Sequence, residues 1–263
     1  MKLKLVPARR GALWVREGLR VFMRKPLAFC VLFLIYLLLG PMLMLAVAPL
    51  ATIGFMIATR QALEGRFPFA SVFIEPLQAS PSQRWAQVRL GIGYAVSVGL
   101  VFWFSDMVGG APFDAVRDAL SGSTTTPQDL QALLSHPKLQ LAWFILATGI
   151  GLLSLPFWHA PALVHWGGQG AAKALFFSIV ACWRNKGALT VFVLAWAGVI
   201  IAFAFVSTLV FALVGLPHLA FFAFTPAMLI LSSAFYASLY FTFVDSFDPT
   251  ADGAVLPPTQ EST

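Results

Sequence analysis

The stretch ALTVFVLAWAGVIIAFAFVSTLVFALVGLPHLAFFAFTPAMLILSSAFYASLYFTFV, residues 188–244, contains no Asp, Glu, Lys or Arg. A hydrocarbon core about 30 Å thick takes roughly 20 apolar residues per crossing helix, so this run is long enough for two. Gly215-Leu216-Pro217 punctuates it and divides it into spans at about 188–214 and 219–243. Charge-free runs also cover residues 27–59, 90–105 and 139–172. The fold class is therefore all-α, a polytopic membrane helical bundle with about six transmembrane helices. A hydrophobic share of 59% and a mean hydropathy of +0.82 agree with this class and exclude an ordinary soluble domain.

Working outward, Gly40-Pro41 splits the first run into spans at about 27–40 and 43–61, joined by a tight turn. The third span covers about 88–105, and the fourth starts near Leu139. Region 139–172 carries Pro156, Pro161, Gly167, Gly168 and Gly170, which leaves two readings open. One is a span ending near Pro156 followed by an interfacial stretch; the other is a kinked long helix reaching about Trp166. Two full crossings there would put Lys173 and Lys186 on the wrong side and are excluded by the charge pattern.

That pattern is uneven. Of 17 Lys and Arg, eight precede Leu27, four lie from Arg60 to Arg89, and three lie from Lys173 to Lys186. Only Arg117 and Lys138 remain, in segment 106–138 beside Asp106, Asp114, Asp118 and Asp129. Basic loops stay cytoplasmic, so the three basic stretches and both termini are expected inside and segment 106–138 outside. The net charge of +6 then reports threading, and no nucleic-acid partner is expected. The expected organisation is a single integral membrane domain over 1–248, with a cytoplasmic amphipathic helix in 1–26, an outer loop at 106–138, and a disordered cytoplasmic tail over 249–263. In the outer loop, Thr126-Pro127-Gln128-Asp129 resembles a capping box, so a short helix to about Ser135 is expected, with a further turn at 114–120.

Basic interfacial segments precede the outward-going spans. Arg16, Arg20 and Arg24 fall at i, i+4 and i+8, opposite Trp14, Gly18, Val21 and Phe22. This reads as a helix lying in the headgroup layer, with each cation adding about 1 kcal/mol on an anionic leaflet. Segment 175–186 has the same character, and 69–89 is a looser version. Candidate membrane-surface contacts are Arg16, Arg20, Arg24, Lys25, Arg184 and Lys186. The inward-going spans share Ala48-Pro49, Ala160-Pro161 and Thr225-Pro226, which suggests repeated hairpins. Small residues four apart mark expected helix-packing faces: Gly91/Ala95/Gly99, Gly54/Ala58, Ala147/Gly151 and Gly198/Ala202.

Chemistry is sparse in the sequence. His159 and His165 flank Pro161 and form a candidate broken-helix site, though a spacing of six suits chelation from one helix face poorly. Ser232, Tyr236 and Tyr240 make a polar stripe on the last span, a candidate pathway or a packing face. Asp106, His136, Lys138 and His218 form a candidate outer rim. Cys30 and Cys182 imply neither disulfide nor metal site. No P-loop, nucleophile elbow or paired intramembrane carboxylates appear, so no cofactor and no enzymatic activity are expected.

The opening Leu5-Val6-Pro7-Ala8-Arg9-Arg10-Gly11-Ala12 with Trp14, and Phe22-Met23-Arg24-Lys25-Pro26-Leu27-Ala28-Phe29, resemble a group of uncharacterised proteobacterial inner-membrane proteins. Gly54-Phe55-Met56 through Glu64-Gly65, Ala160-Pro161-Ala162-Leu163-Val164 through Arg184-Asn185, and residues 233–247 extend the likeness over essentially the whole chain. Where such proteins often read Tyr-Arg-Asp near the end, this chain has Phe243-Val244-Asp245. The resemblance implies a multi-pass helical fold in the bacterial inner membrane and carries no activity. The leading expectation is a non-enzymatic accessory or assembly protein. It would act through anionic lipid headgroups, a membrane protein partner or a second copy of itself. A small-solute permease or exporter is the alternative, and a lipid-modifying enzyme stands third.

Overall fold

A computed structural model describes residues 1–38, 41–120, 127–215 and 220–248. The described helices are α1 (Arg10–Arg24), α2 (Pro26–Leu38), α3 (Pro41–Leu63), α4 (Pro81–Gly109), α5 (Ala111–Leu120), α6 (Pro127–Leu134), α7 (Pro137–His165), α8 (Ala171–Arg184), α9 (Lys186–Leu213) and α10 (Ala220–Ser246). Five of them, α3, α4, α7, α9 and α10, are long and apolar enough to cross a membrane alone. A sixth candidate crossing is the α1–α2 pair, which is apolar enough only when taken together and is bent by 100°. Lys25 precedes Pro26 and is pushed out of the helical region, to φ −143° and ψ 55°, and there α1 ends. At 13 residues α2 spans about 20 Å, shorter than a hydrocarbon core about 30 Å thick.

The ends of α4 and α7 follow local chemistry. Ser80 caps α4 in a capping box with Gln83, with Pro81 in the first turn; Nδ1 of His136 accepts from the Lys138 N–H at the start of α7. The region with two open readings resolves as one continuous helix, α7, running through Pro156 and Pro161 to His165. Side chains from neighbouring helices rebond it. The Ser178 hydroxyl donates to the Leu155 carbonyl at 2.7 Å and accepts from the His159 N–H at 3.0 Å. Gln87 donates to the Pro161 carbonyl at 2.8 Å, and Gln83 to the Val164 and His165 carbonyls at 3.1 and 3.0 Å. These bonds grip the α7 backbone around the two prolines and at its last turn, where carbonyls lack partners within the helix. The interfacial stretch expected after Pro156 is instead α8, which starts at Ala171.

One expectation is corrected outright. The apolar face of α1 does not lie in lipid: Trp14 is fully buried, and Val15, Val21 and Phe22 are nearly so. Gly11 and Gly18 let α1 press onto α9 and α10, because a Cβ there would sit 2.1 Å from the Ala188 carbonyl and 2.4 Å from Ser238 Cβ. Some expected small-residue faces also differ. Gly54 packs on Phe73 and Gly91 on the Ala46 carbonyl, while Gly99, Gly151 and Gly198 face open space. On α7 it is Gly149, against Val101, that makes the contact. The core accordingly sits at the basic end, around Trp14, Phe29, Phe55, Phe192 and Phe243. The far half of α9 is left to lipid, with Phe205 and Leu213 largely exposed.

The termini meet. Strand β1 (Lys2–Leu3) pairs antiparallel with β2 (Phe247–Asp248), in the register Lys2 to Asp248 and Leu3 to Phe247. Asn185, between α8 and α9, fastens this join: its Oδ1 accepts from the Val6 N–H, and its Nδ2 donates to the Lys4 carbonyl and the Ser246 hydroxyl. Replacing Asn185 with Ala is expected to destabilise by about 1–3 kcal/mol, because buried polar groups lose their partners. Hydrogen exchange at Val6 should quicken; unchanged exchange there would mean Asn185 does not hold the strand. Of the hairpin units, α1 before α2–α3 and α8 before α9–α10 match the expected pattern. The segment before α4 holds two short 3-10 turns, Ala70–Phe73 and Glu75–Leu77, rather than an interfacial helix. In segment 106–138, α6 covers the expected short helix and α5 exceeds the expected turn. Thr126, His218 and residues 249–263 lie outside the described residues.

Candidate functional site at the basic end

All three basic stretches converge on one end of the bundle. The join of the termini, the turns after α3 and the α7–α8 connection lie together, as the Gln83, Asn185 and Trp166 contacts show. On α1, Arg16, Arg20 and Arg24 are exposed while the opposite face is locked to α9 and α10. On α8, Arg184 is exposed beside Trp183, and the Lys186 ammonium stands 4.9 Å above the Trp183 ring. Exposed Phe176 and Trp183 share that surface with the cations, the mixture expected where a helix meets the headgroup layer. The expected surface contacts are thus displayed; Lys25 is half-buried at the bend.

Beneath α1 lies a network that the sequence reading missed. Asp245 Oδ2 accepts from Arg10 Nε at 2.7 Å, from Arg10 Nη2 at 2.6 Å, and from Trp14 Nε1 at 2.6 Å. Glu17 Oε1 is 3.4 Å from the same guanidinium, and its other oxygen is buried without a partner. Asp245 thus takes its cation from α1. Burial pushes the Glu17 carboxyl above its ordinary range, Arg10 opposes this, and Asp245 adds to it. A carboxyl raised in the folded state contributes stability below its unfolded pKa and loses it as pH rises through the folded value. Glu17→Gln is therefore expected to raise Tm above the ordinary carboxylate range, with the gain vanishing at acid pH; an equal gain at every pH would contradict this.

A polar cavity of about 160 Å³ opens nearby, lined by Ile57, Arg60, Gln61, Arg66, Glu75 and Trp166. Glu64 bridges its two arginines, accepting from Arg60 Nε at 3.1 Å and from Arg66 Nε at 3.0 Å. Those bonds, Arg66 first, hold the Glu64 carboxyl below its usual range. His165 Nε2 is 3.9 Å from Glu75 Oε1. His159 lies elsewhere, fully buried against Phe243 and Phe247 with Nδ1 unpartnered, so the two histidines are not brought together.

The stripe on α10 is only partly one surface. Ser232 lines an apolar groove of about 620 Å³ between α2 and α10, with Phe33, Leu37 and Met228. Tyr236 is stacked on Phe55 at 4.8 Å and set edge-on to Tyr36 at 5.9 Å. Tyr240 packs on Trp166, at the wall of the polar cavity. Of the expected rim, Asp106 pairs with Arg117 at 2.5 Å and His136 caps its own helix, while His218 lies outside the described residues. Burial pushes the Cys182 thiol up to about 12, which suits an inert packed residue. Among the described residues, no three of His, Cys, Asp and Glu are grouped to hold a metal.

No family profile matches the chain, and no solved structure matches it. The chain is 32% identical over 265 residues to a probable inner membrane protein of Burkholderia thailandensis, covering 97% of each. Identity at that level along nearly the full length of both proteins goes with a shared fold from the first helix to the last. The chain, itself with several helices able to cross a membrane, belongs to the family of that probable inner membrane protein.

Proposed function

We propose that this is a non-enzymatic accessory protein of the bacterial inner membrane, with both termini cytoplasmic, that acts through anionic lipid headgroups and a membrane protein partner at its basic end. The observation that supports this most is the exposed Arg16–Arg20–Arg24 face on a helix whose other face is locked into the bundle. A helix bound only to lipid tumbles with the surface, whereas this one holds its cations in a fixed place on the protein. The test is extraction from the source membrane in polymer discs at natural expression level, followed by mass analysis of co-extracted lipid and protein. A stoichiometric protein companion or enrichment of anionic lipid is expected, and it should fall in R16Q/R20Q/R24Q. A bare protein in bulk lipid, the same for both, would overturn the reading.

The groove at Ser232 and the polar cavity whose Trp166 wall packs on Tyr240 favour a second reading, a small permease or exporter. Substituting Ser232, Tyr236 and Tyr240 by Ala would impair uptake or export of a solute under that reading. It would leave the companion in the polymer discs unchanged under the first.

A further inference from the structure

We propose that the polar cavity between the end of α3, the Glu75–Leu77 turn and Trp166 is a binding site for a zwitterion, an anion and a primary ammonium on one short linker. The inference rests on the reading of the basic end as the working surface, but it uses none of the α1 arginines. Four charged groups meet here: the guanidiniums of Arg60 and Arg66 and the carboxylates of Glu64 and Glu75. They are balanced in number and separated in place. Glu64 lies on the arginines, while Glu75 stands by His165 and the Trp166 ring closes the wall. An anion alone would add uncompensated negative charge beside a carboxylate that already engages both arginines. A cation alone would be repelled by them. A zwitterion leaves the balance unchanged, with its anion on the guanidiniums and its ammonium between Glu75 and the indole face.

Size and position narrow the class. The cavity of about 160 Å³ has room for roughly five water molecules, which suits a headgroup or an amino acid. Its walls are held firmly, since Trp166 packs on both Tyr240 and Phe243, and Gln83 bonds the carbonyls just before it. The cavity lies at the ends of α3 and α7, two helices long and apolar enough to cross a membrane, which is where headgroups would be met. Phosphoethanolamine on a membrane phospholipid and a free zwitterion in the cytoplasm share this chemistry.

The test is native mass spectrometry of the full chain in detergent, titrated with dioleoylphosphatidylethanolamine, with dioleoylphosphatidylglycerol, and with the first lipid against free O-phosphoethanolamine or glycine. The wild type should prefer the ethanolamine lipid by about tenfold, the scale of one charge-assisted bond. R60Q/R66Q should bind both lipids weakly. E75Q should lose the ethanolamine lipid and gain relative affinity for the glycerol lipid, an inversion that misfolding does not produce. Displacement by the free compounds assigns the site to a soluble zwitterion, and no displacement assigns it to the lipid. Equal binding of both lipids and of neither free compound by the wild type, or wild-type selectivity in E75Q, would overturn the proposal. The α1 stripe is tested by R16Q/R20Q/R24Q in the polymer discs, so either reading can fail while the other stands.

Discussion

Gly11→Val is expected to detach α1 from the bundle and leave little folded protein. A Cβ at Gly11 would lie 2.1 Å from the Ala188 carbonyl oxygen and 2.6 Å from the Phe192 nitrogen. Both are backbone atoms of α9, so no rotamer change relieves the overlap. Overpacking alone costs about 1–3 kcal/mol. If α1 lifts to escape it, the fully buried Trp14 loses its cover, a loss of about 3–5 kcal/mol by comparison with large aromatic truncations. The checks are the yield of monodisperse protein, Tm in detergent, and a red shift in Trp emission. Gly18→Ala meets Ser238 Cβ at 2.4 Å, and Ser238→Gly in the same chain should restore part of the loss. A Gly11→Val protein with wild-type Tm and emission would contradict the docked placement of α1.

Asp245→Ala is expected to cost about 3 kcal/mol, at the lower end of the range for breaking a buried ion pair. The lower end applies because the Arg10 and Asp245 side chains remain 28% and 18% exposed. The substitution strands the Arg10 guanidinium with only Glu17 and removes the acceptor for Trp14 Nε1. Asp245→Asn keeps an acceptor and should cost less. Thermal melts of Arg10→Ala, Asp245→Ala and the double variant decide the matter. The double variant should be less destabilised than the sum of the singles, by about 0.5–3 kcal/mol. Strict additivity would show that the two side chains do not interact.

The threading was legible in the sequence because the bilayer imposes a single rule, length without charge, and residues 188–244 obey it over two spans. Five long apolar helices, α3, α4, α7, α9 and α10, stand where charge-free runs put them, with α7 on the longer of its two readings, and the first expected span is the short α2 of a bent pair. The two faces of α1 were legible as well. What covers its apolar face was not, because Trp14 and Val21 suit lipid and a protein groove equally. Gly11 and Gly18, seven apart beside Trp14, were the available signal that a backbone comes close. Asp245 was beyond local reading: its partner lies 235 residues away on the first helix. The cavity arises the same way, from residues on α3, the turn after it and the end of α7. Each of its charges looks like an ordinary interfacial residue until the fold assembles them.

The central claim is that every basic stretch and both termini share the cytoplasmic end, with α5 and α6 on the opposite side. Single cysteines placed at Lys2, Gln78, Lys173 and Ala115, in a chain with Cys30 and Cys182 replaced by Ala, test it in right-side-out spheroplasts with an impermeant maleimide. Only the cysteine at position 115 should label before permeabilisation, and the other three only after it. Labelling of position 2, 78 or 173 from outside, or protection of 115, would contradict the account.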